Sequence, residues 1–134
     1  MRLYLDACIV IYLVERNPVY ENQLRRLLGE HSGAQICWTD LTRMETRVKP
    51  LRENNRPLLD RFDQFFNDPV TDPIFMGREV FERATALRAE YGLKTPDALH
   101  LAAAIEGRCA EFWSNDQRLE RAAGDALRVL NFTV

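Results

Sequence analysis

At 134 residues and 15.6 kDa the chain is the size of one domain with a proper core, and its 46% hydrophobic and 28% charged residues are those of an ordinary globular protein. A net charge of −2 excludes a whole-molecule field that gathers nucleic acid, so any such binding has to come from a local basic surface. Cys8, Cys37 and Cys109 are isolated, with no C-x-x-C pair and no nearby histidine; this excludes a zinc knuckle and reads as core thiols in a reducing compartment.

A short apolar strand over residues 3–5 runs into Asp6, and a buried helix follows over 8–14. That apolar run is too short to span a bilayer and has no small-residue cleavage site behind it, so the expectation is a cytoplasmic protein without membrane contact. Asn17-Pro18 is a start signal for a second helix, with Tyr20, Leu24, Leu27 and Leu28 on one face and an end at 31–33. A strand over 35–38 leads to a helix capped by Thr39 or Asp40, which Pro50 should kink or stop. Residues 43–56 carry Arg43, Arg47, Lys49, Arg52 and Arg56 against Glu45 and Glu53, a run whose commonest meaning is a solvated helix face.

Asn55-Arg56-Pro57 opens the next helix, with Leu58, Leu59, Phe62, Phe65 and Phe66 inward, and Asp68-Pro69 breaks it. Residues 70–75 form a loop with room for a short strand. The spacing of Val80, Ala84, Leu87 and Tyr91 predicts an amphipathic helix over 77–91 closed by Gly92. Thr95-Pro96 opens a helix over 97–106 that is apolar almost all round and therefore belongs in the middle of the fold. A strand over 111–114, a short helix over 116–123 and a last strand over 128–132 complete the chain. The alternation predicts an α/β fold, a parallel sheet of about four to five strands flanked by helices on both faces, as a single domain over residues 1–134.

Four of the 20 acids stand out by where they fall. Asp6 follows the first strand, Glu45 lies two turns into the helix after the second, Asp97 is in the first turn of the most buried helix, and Asp116 follows the strand over 111–114. All four should meet near the carboxyl edge of one sheet, where ligands of open parallel sheets gather. Carboxylates brought that close need a positive partner, and an oxygen-only set suits Mg²⁺ or Mn²⁺. Each acid also has a simpler role. Asp6 and Asp116 can cap helices, Asp97 suits a helix N-terminus, and Glu45 completes a Thr42-x-x-Glu45 capping pattern. Taken together those simpler roles ask for four coincidences. Ser114 and Asn115 flank Asp116 and can hydrogen-bond to a metal-bound water or serve the local turn. His100 reads as a hydrogen-bonded core histidine and His31 as a solvated turn residue.

The segments Leu3-Tyr4-Leu5-Asp6, Leu41-Thr42-Arg43-Met44-Glu45, Thr95-Pro96-Asp97-Ala98-Leu99-His100 and Trp113-Ser114-Asn115-Asp116 resemble those of PIN domains, and among these the VapC-type toxins of toxin–antitoxin pairs. The resemblance implies a metal-dependent endoribonuclease that cleaves single-stranded RNA by metal-activated water. Asp6, Glu45, Asp97 and Asp116 would be its catalytic and metal-holding residues, with Mg²⁺ or Mn²⁺ as cofactor. Arg43 and Arg47 are candidates for holding RNA phosphates. The expected partners are RNA, a second copy of the chain in a homodimer, and a cognate antitoxin that sends a basic residue into the acidic cleft. The helices at 20–28 and 58–66 are candidate apolar grooves for the rest of that antitoxin. Family members often carry Ser or Thr and then Asn after the first acid, where this chain has Ala7 and Cys8, and Thr where it has Ser114. Rival readings are a housekeeping PIN nuclease without antitoxin and a non-catalytic acidic-cleft binding module. A haloacid-dehalogenase-type phosphatase also begins strand-then-Asp, but it wants a second Asp where Cys8 stands.

Overall fold

The computed structural model describes residues 1–132. In chain order the elements are β1 (Arg2–Leu5), α1 (Ala7–Val14), α2 (Glu21–Glu30), β2 (Gln35–Trp38), α3 (Asp40–Arg52), α4 (Arg56–Asn67), β3 (Asp72–Pro73), α5 (Arg78–Tyr91), α6 (Thr95–Glu106), β4 (Glu111–Ser114), α7 (Leu119–Ala123) and β5 (Arg128–Asn131). The five strands form one sheet in the order β3-β2-β1-β4-β5, and every pairing is parallel. From β1 the chain first builds outward through β2 and β3, then returns to lay β4 on the other side of β1. The β1/β4 boundary is therefore the switch point of the sheet, the place where parallel α/β folds open a crevice.

Side-chain alternation along the strands fills two core layers. Leu3, Leu5, Trp38 and Trp113 pack on one face with α1, α2 and α4. Tyr4, Cys37 and Phe112 pack on the other with α5, α6 and α7. On α6, Ala98, His100, Leu101, Ala102, Ala103 and Ala104 are all buried, as an apolar helix without a polar face requires. All three cysteines are free, and among the described residues no helix is long and apolar enough to cross a membrane.

Several boundaries differ from the sequence expectation. The Asn17 side chain does accept from the Val19 and Tyr20 amides, at 2.8 and 3.2 Å, but it caps a turn, and α2 begins only at Glu21. Pro50 does not stop α3 at once; it lies buried inside the last turn, and the helix runs on to Arg52 although the ring removes one amide donor from the ladder. Lys94, not Thr95, is the N-cap of α6, and it offers no side-chain cap. α7 is shorter than expected because Asp116 bonds back to Arg118 and holds residues 116–118 as a turn. The apolar faces at 20–28 and 58–66 are not open grooves: Leu24, Leu58, Leu59, Phe62 and Phe66 are core residues. The exposed apolar strip lies instead on α3, at Met44, Val48 and Leu51.

α5 ends at Gly92, which takes φ +68° while its amide bonds the Arg88 carbonyl at 2.9 Å. This left-handed position is where a Cβ is costly, so Gly92→Ala should lose about 1–2 kcal/mol. Urea unfolding measures it, and an unchanged midpoint would refute the assignment.

Candidate active site

Asp6 is set by three bonds at the carboxyl end of β1. Its amide donates to the Trp113 carbonyl at 3.0 Å, its Oδ1 accepts from the Ala7 amide at 2.8 Å, and its Oδ2 accepts from Ser114 Oγ at 2.8 Å. Asp6 therefore does cap α1, and the cap holds the carboxylate at the switch point. Ser114 Oγ also accepts from the Asp116 amide at 3.1 Å, so this buried hydroxyl ties the two acids together. Cys8 lies half-buried beside them, and burial together with the Asp6 charge pushes its thiol up to about 12, which keeps it a neutral thiol.

Asp97 stands in the first turn of α6, half-buried. Burial first, then the charges of Asp6 and of Asp116, push its carboxyl above the usual range, against the opposing pull of Arg118 and His100. Asp116 is pulled the other way. Arg118 grips it with Nε at 3.0 Å from Oδ1 and Nη2 at 2.7 Å from Oδ2, and that guanidinium holds the carboxyl below the usual range.

Glu45 is reached through His100. Imidazole Nε2 lies 2.5 Å from Glu45 Oε1 and 3.8 Å from Asp6 Oδ1, while Nδ1 lies 2.6 Å from the Tyr4 hydroxyl. Tyr4 is fully buried, which pushes its phenol far above the usual range and keeps it protonated. The phenol donates to Nδ1 and Nε2–H then donates to Glu45, with Thr39 and Thr42 at 3.0 and 3.3 Å completing the Tyr4 contacts. Those two threonines also form the capping box of α3, so the Thr42-x-x-Glu45 pattern has no capping role and Glu45 is left for the site.

Two flanking arginines behave differently from a solvated face. Arg47 Nε bonds Asp63 at 2.9 Å and Arg43 reaches the same carboxylate at 4.0 Å, which ties α3 to α4. Asn115 turns toward α1 and donates to the Tyr12 hydroxyl at 2.9 Å.

His100 is the residue whose place at the site sequence reasoning missed. It is a hydrogen-bonded core histidine, as expected, but its ring also bonds Glu45 and stands 3.8 Å from Asp6. The available signal was its spacing, three residues after Asp97 on the same helix face. Tyr4, a hydroxyl inside an otherwise apolar strand, was the second signal.

Among the described residues no three acid, imidazole or thiol groups stand close enough to close on one ion without adjustment. The donor chemistry nevertheless fits a hard cation. Asp6, Asp97 and Asp116 offer only oxygen, and Asp97 feels both other charges without a cation bonded to it.

The model of the PIN domain family, a family of nucleases, matches residues 3–125, and the chain belongs to that family. Its fold is similar to VapBC2 of Rickettsia felis bound to a promoter DNA fragment, with TM-score 0.78 and 17% identity, covering 99% of this chain and 100% of that one. It is also similar to a toxin–antitoxin complex from Klebsiella pneumoniae (TM-score 0.71, 22% identity, 96% of each chain) and to FitAcB from Neisseria gonorrhoeae (TM-score 0.68, 16% identity, 96% of each chain). No curated protein matches the chain by sequence.

Proposed function

We propose that this chain is the toxin of a toxin–antitoxin pair, a Mg²⁺- or Mn²⁺-dependent endoribonuclease that cleaves single-stranded RNA. The observation that carries the reading is the gathering of acids at the switch point of a PIN fold, where Ser114 bonds both Asp6 and the Asp116 amide and Asp97 stands within the field of those two charges. In this reading Asp6, Asp97 and Asp116 hold the ion, and Glu45 joins them from the His100 side. Such an ion makes water more acidic and draws negative charge from a phosphate in the transition state. The chain's own residues keep the acids in place. Ser114 and the Ala7 amide fix Asp6, the Tyr4–His100 pair orients Glu45, and Arg118 fixes Asp116. The antitoxin is expected to place an Arg or Lys among the acids and to cover the exposed Met44, Val48 and Leu51 strip beside Glu45.

Purified chain should cleave single-stranded RNA with Mn²⁺ or Mg²⁺ and not after chelation, and its expression alone should arrest growth. Either ion should also raise the melting temperature by mass action, and much less so in Asp6→Ala. Cleavage without growth arrest or a bound neighbouring gene product would leave a housekeeping nuclease. Absence of cleavage would leave an acidic binding module. Equal melting shifts in both proteins would move the ion site elsewhere.

A further inference from the structure

Next to Asp97, between the α5–α6 turn and the start of α7, lies a cleft of about 430 Å³ lined by Tyr91, Lys94, Asp97, Gln117, Arg118 and Arg121. Its size is within the roughly 300–1,000 Å³ of small-ligand clefts. Three exposed cations converge on it in a chain whose net charge is −2. Arg118 is engaged with Asp116. Among the described residues Lys94 and Arg121 form no ion pair; Lys94 acts on Asp116 only through its field, and Arg121 lies 5.7 Å over the Tyr91 ring. Isolated surface cations are ordinarily solvated, but these line one concavity together with a site acid, Asp97. The N-terminus of α6, which has no side-chain cap, adds its positive end to the same field.

We propose that this cleft is a subsite for the RNA strand next to the scissile bond, where a neighbouring phosphodiester lies against Lys94 and Arg121 and its base stacks on the Tyr91–Arg121 pair. The proposal rests on the ribonuclease reading above. A guanidinium already lying on an aromatic ring offers its outer face to a base, and stacking of this kind accepts any base in a single strand. The cations compensate the repulsion that the site acids exert on an incoming phosphate. An RNA strand can thus approach a carboxylate cluster that would otherwise reject it.

The test compares wild-type chain, the Lys94→Ala/Arg121→Ala double variant and Arg26→Ala, an exposed cation on α2, on a labelled twelve-nucleotide single-stranded RNA. Cleavage is followed with Mn²⁺, and binding with chelator at several salt concentrations. The double variant should raise KM about tenfold with kcat within about twofold, a split that marks lost strand binding and not lost chemistry. Its salt slope should fall by about 1.4, the loss of two single-strand phosphate contacts, while Arg26→Ala leaves both unchanged. Wild-type-like KM and slope in a double variant of unchanged melting temperature overturn the subsite while the nuclease reading stands. An equal loss in Arg26→Ala overturns it as well, because bulk charge then explains the effect. If KM holds but the double variant fails to retain the neighbouring gene product, the cleft seats protein and not RNA. A wild-type chain that neither binds nor cleaves RNA removes both the nuclease reading and the subsite.

Discussion

Replacing Asp97 with Asn should abolish RNA cleavage and, in metal-free protein, raise the melting temperature. Loss of a partner one step out from a metal costs about 10–100-fold, and loss of a ligand should exceed that. The stability gain has a separate cause. The folded state raises the Asp97 carboxyl through burial and through Asp6 and Asp116, so its ionisation is harder folded than unfolded. That penalty is in full force above the raised folded value. It disappears as pH falls below the ordinary carboxylate value of 3.8, where both states are protonated. The melting difference between Asp97→Asn and wild type should therefore be positive near neutrality and shrink on acidification. Asp116 should behave oppositely, since Arg118 depresses its carboxyl and the contribution is lost as pH falls. Cleavage by Asp97→Asn at the wild-type rate with Mg²⁺ would remove Asp97 from the site. A melting difference that grows toward low pH would remove the electrostatic account.

Phe112→Ala should cause a large loss of stability. Phe112 is fully buried in β4 and stacks on Tyr4 with ring centroids 5.1 Å apart and planes 11° apart. Truncating such a residue costs about 3–5 kcal/mol, or on the order of 10 °C in Tm for a domain of this size. It should also lower activity at temperatures where the protein is still folded, because the Tyr4 ring that supports His100 loses its backing. Tyr4→Phe is the informative companion. It keeps the ring and removes only the hydroxyl under His100, so it should cost less stability, about 1–3 kcal/mol, while still loosening Glu45. Denaturant titration together with cleavage at low temperature separates the two effects. A Phe112→Ala protein as stable as wild type would contradict the two-layer core.

Element type and order were legible in the residues themselves, because the periodicities of Leu3 to Leu5, of Val80 to Tyr91 and of the Ala-rich α6 are local properties of the chain. Gly92, Asn55 and Thr39 mark helix ends for the same reason, each acting on amides within a few residues. The four acids could be singled out by their position after strands or in the early turns of helices. Which contacts they make could not. Ser114 joins Asp6 to Asp116 across 108 residues of chain, and His100 joins Tyr4 to Glu45 across 96 and 55. Only strand order decides such pairings, and strand order follows from how two core layers fill, not from any local pattern. The same limit explains Arg47. On its own helix it reads as a solvated charge, and its partner Asp63 is supplied by the next helix. The apolar faces at 20–28 and 58–66 were likewise visible as faces, but whether a partner or the sheet covers them is decided by packing. Here the core covers them, because a parallel sheet must bury both sides and α1, α2 and α4 together bury the second.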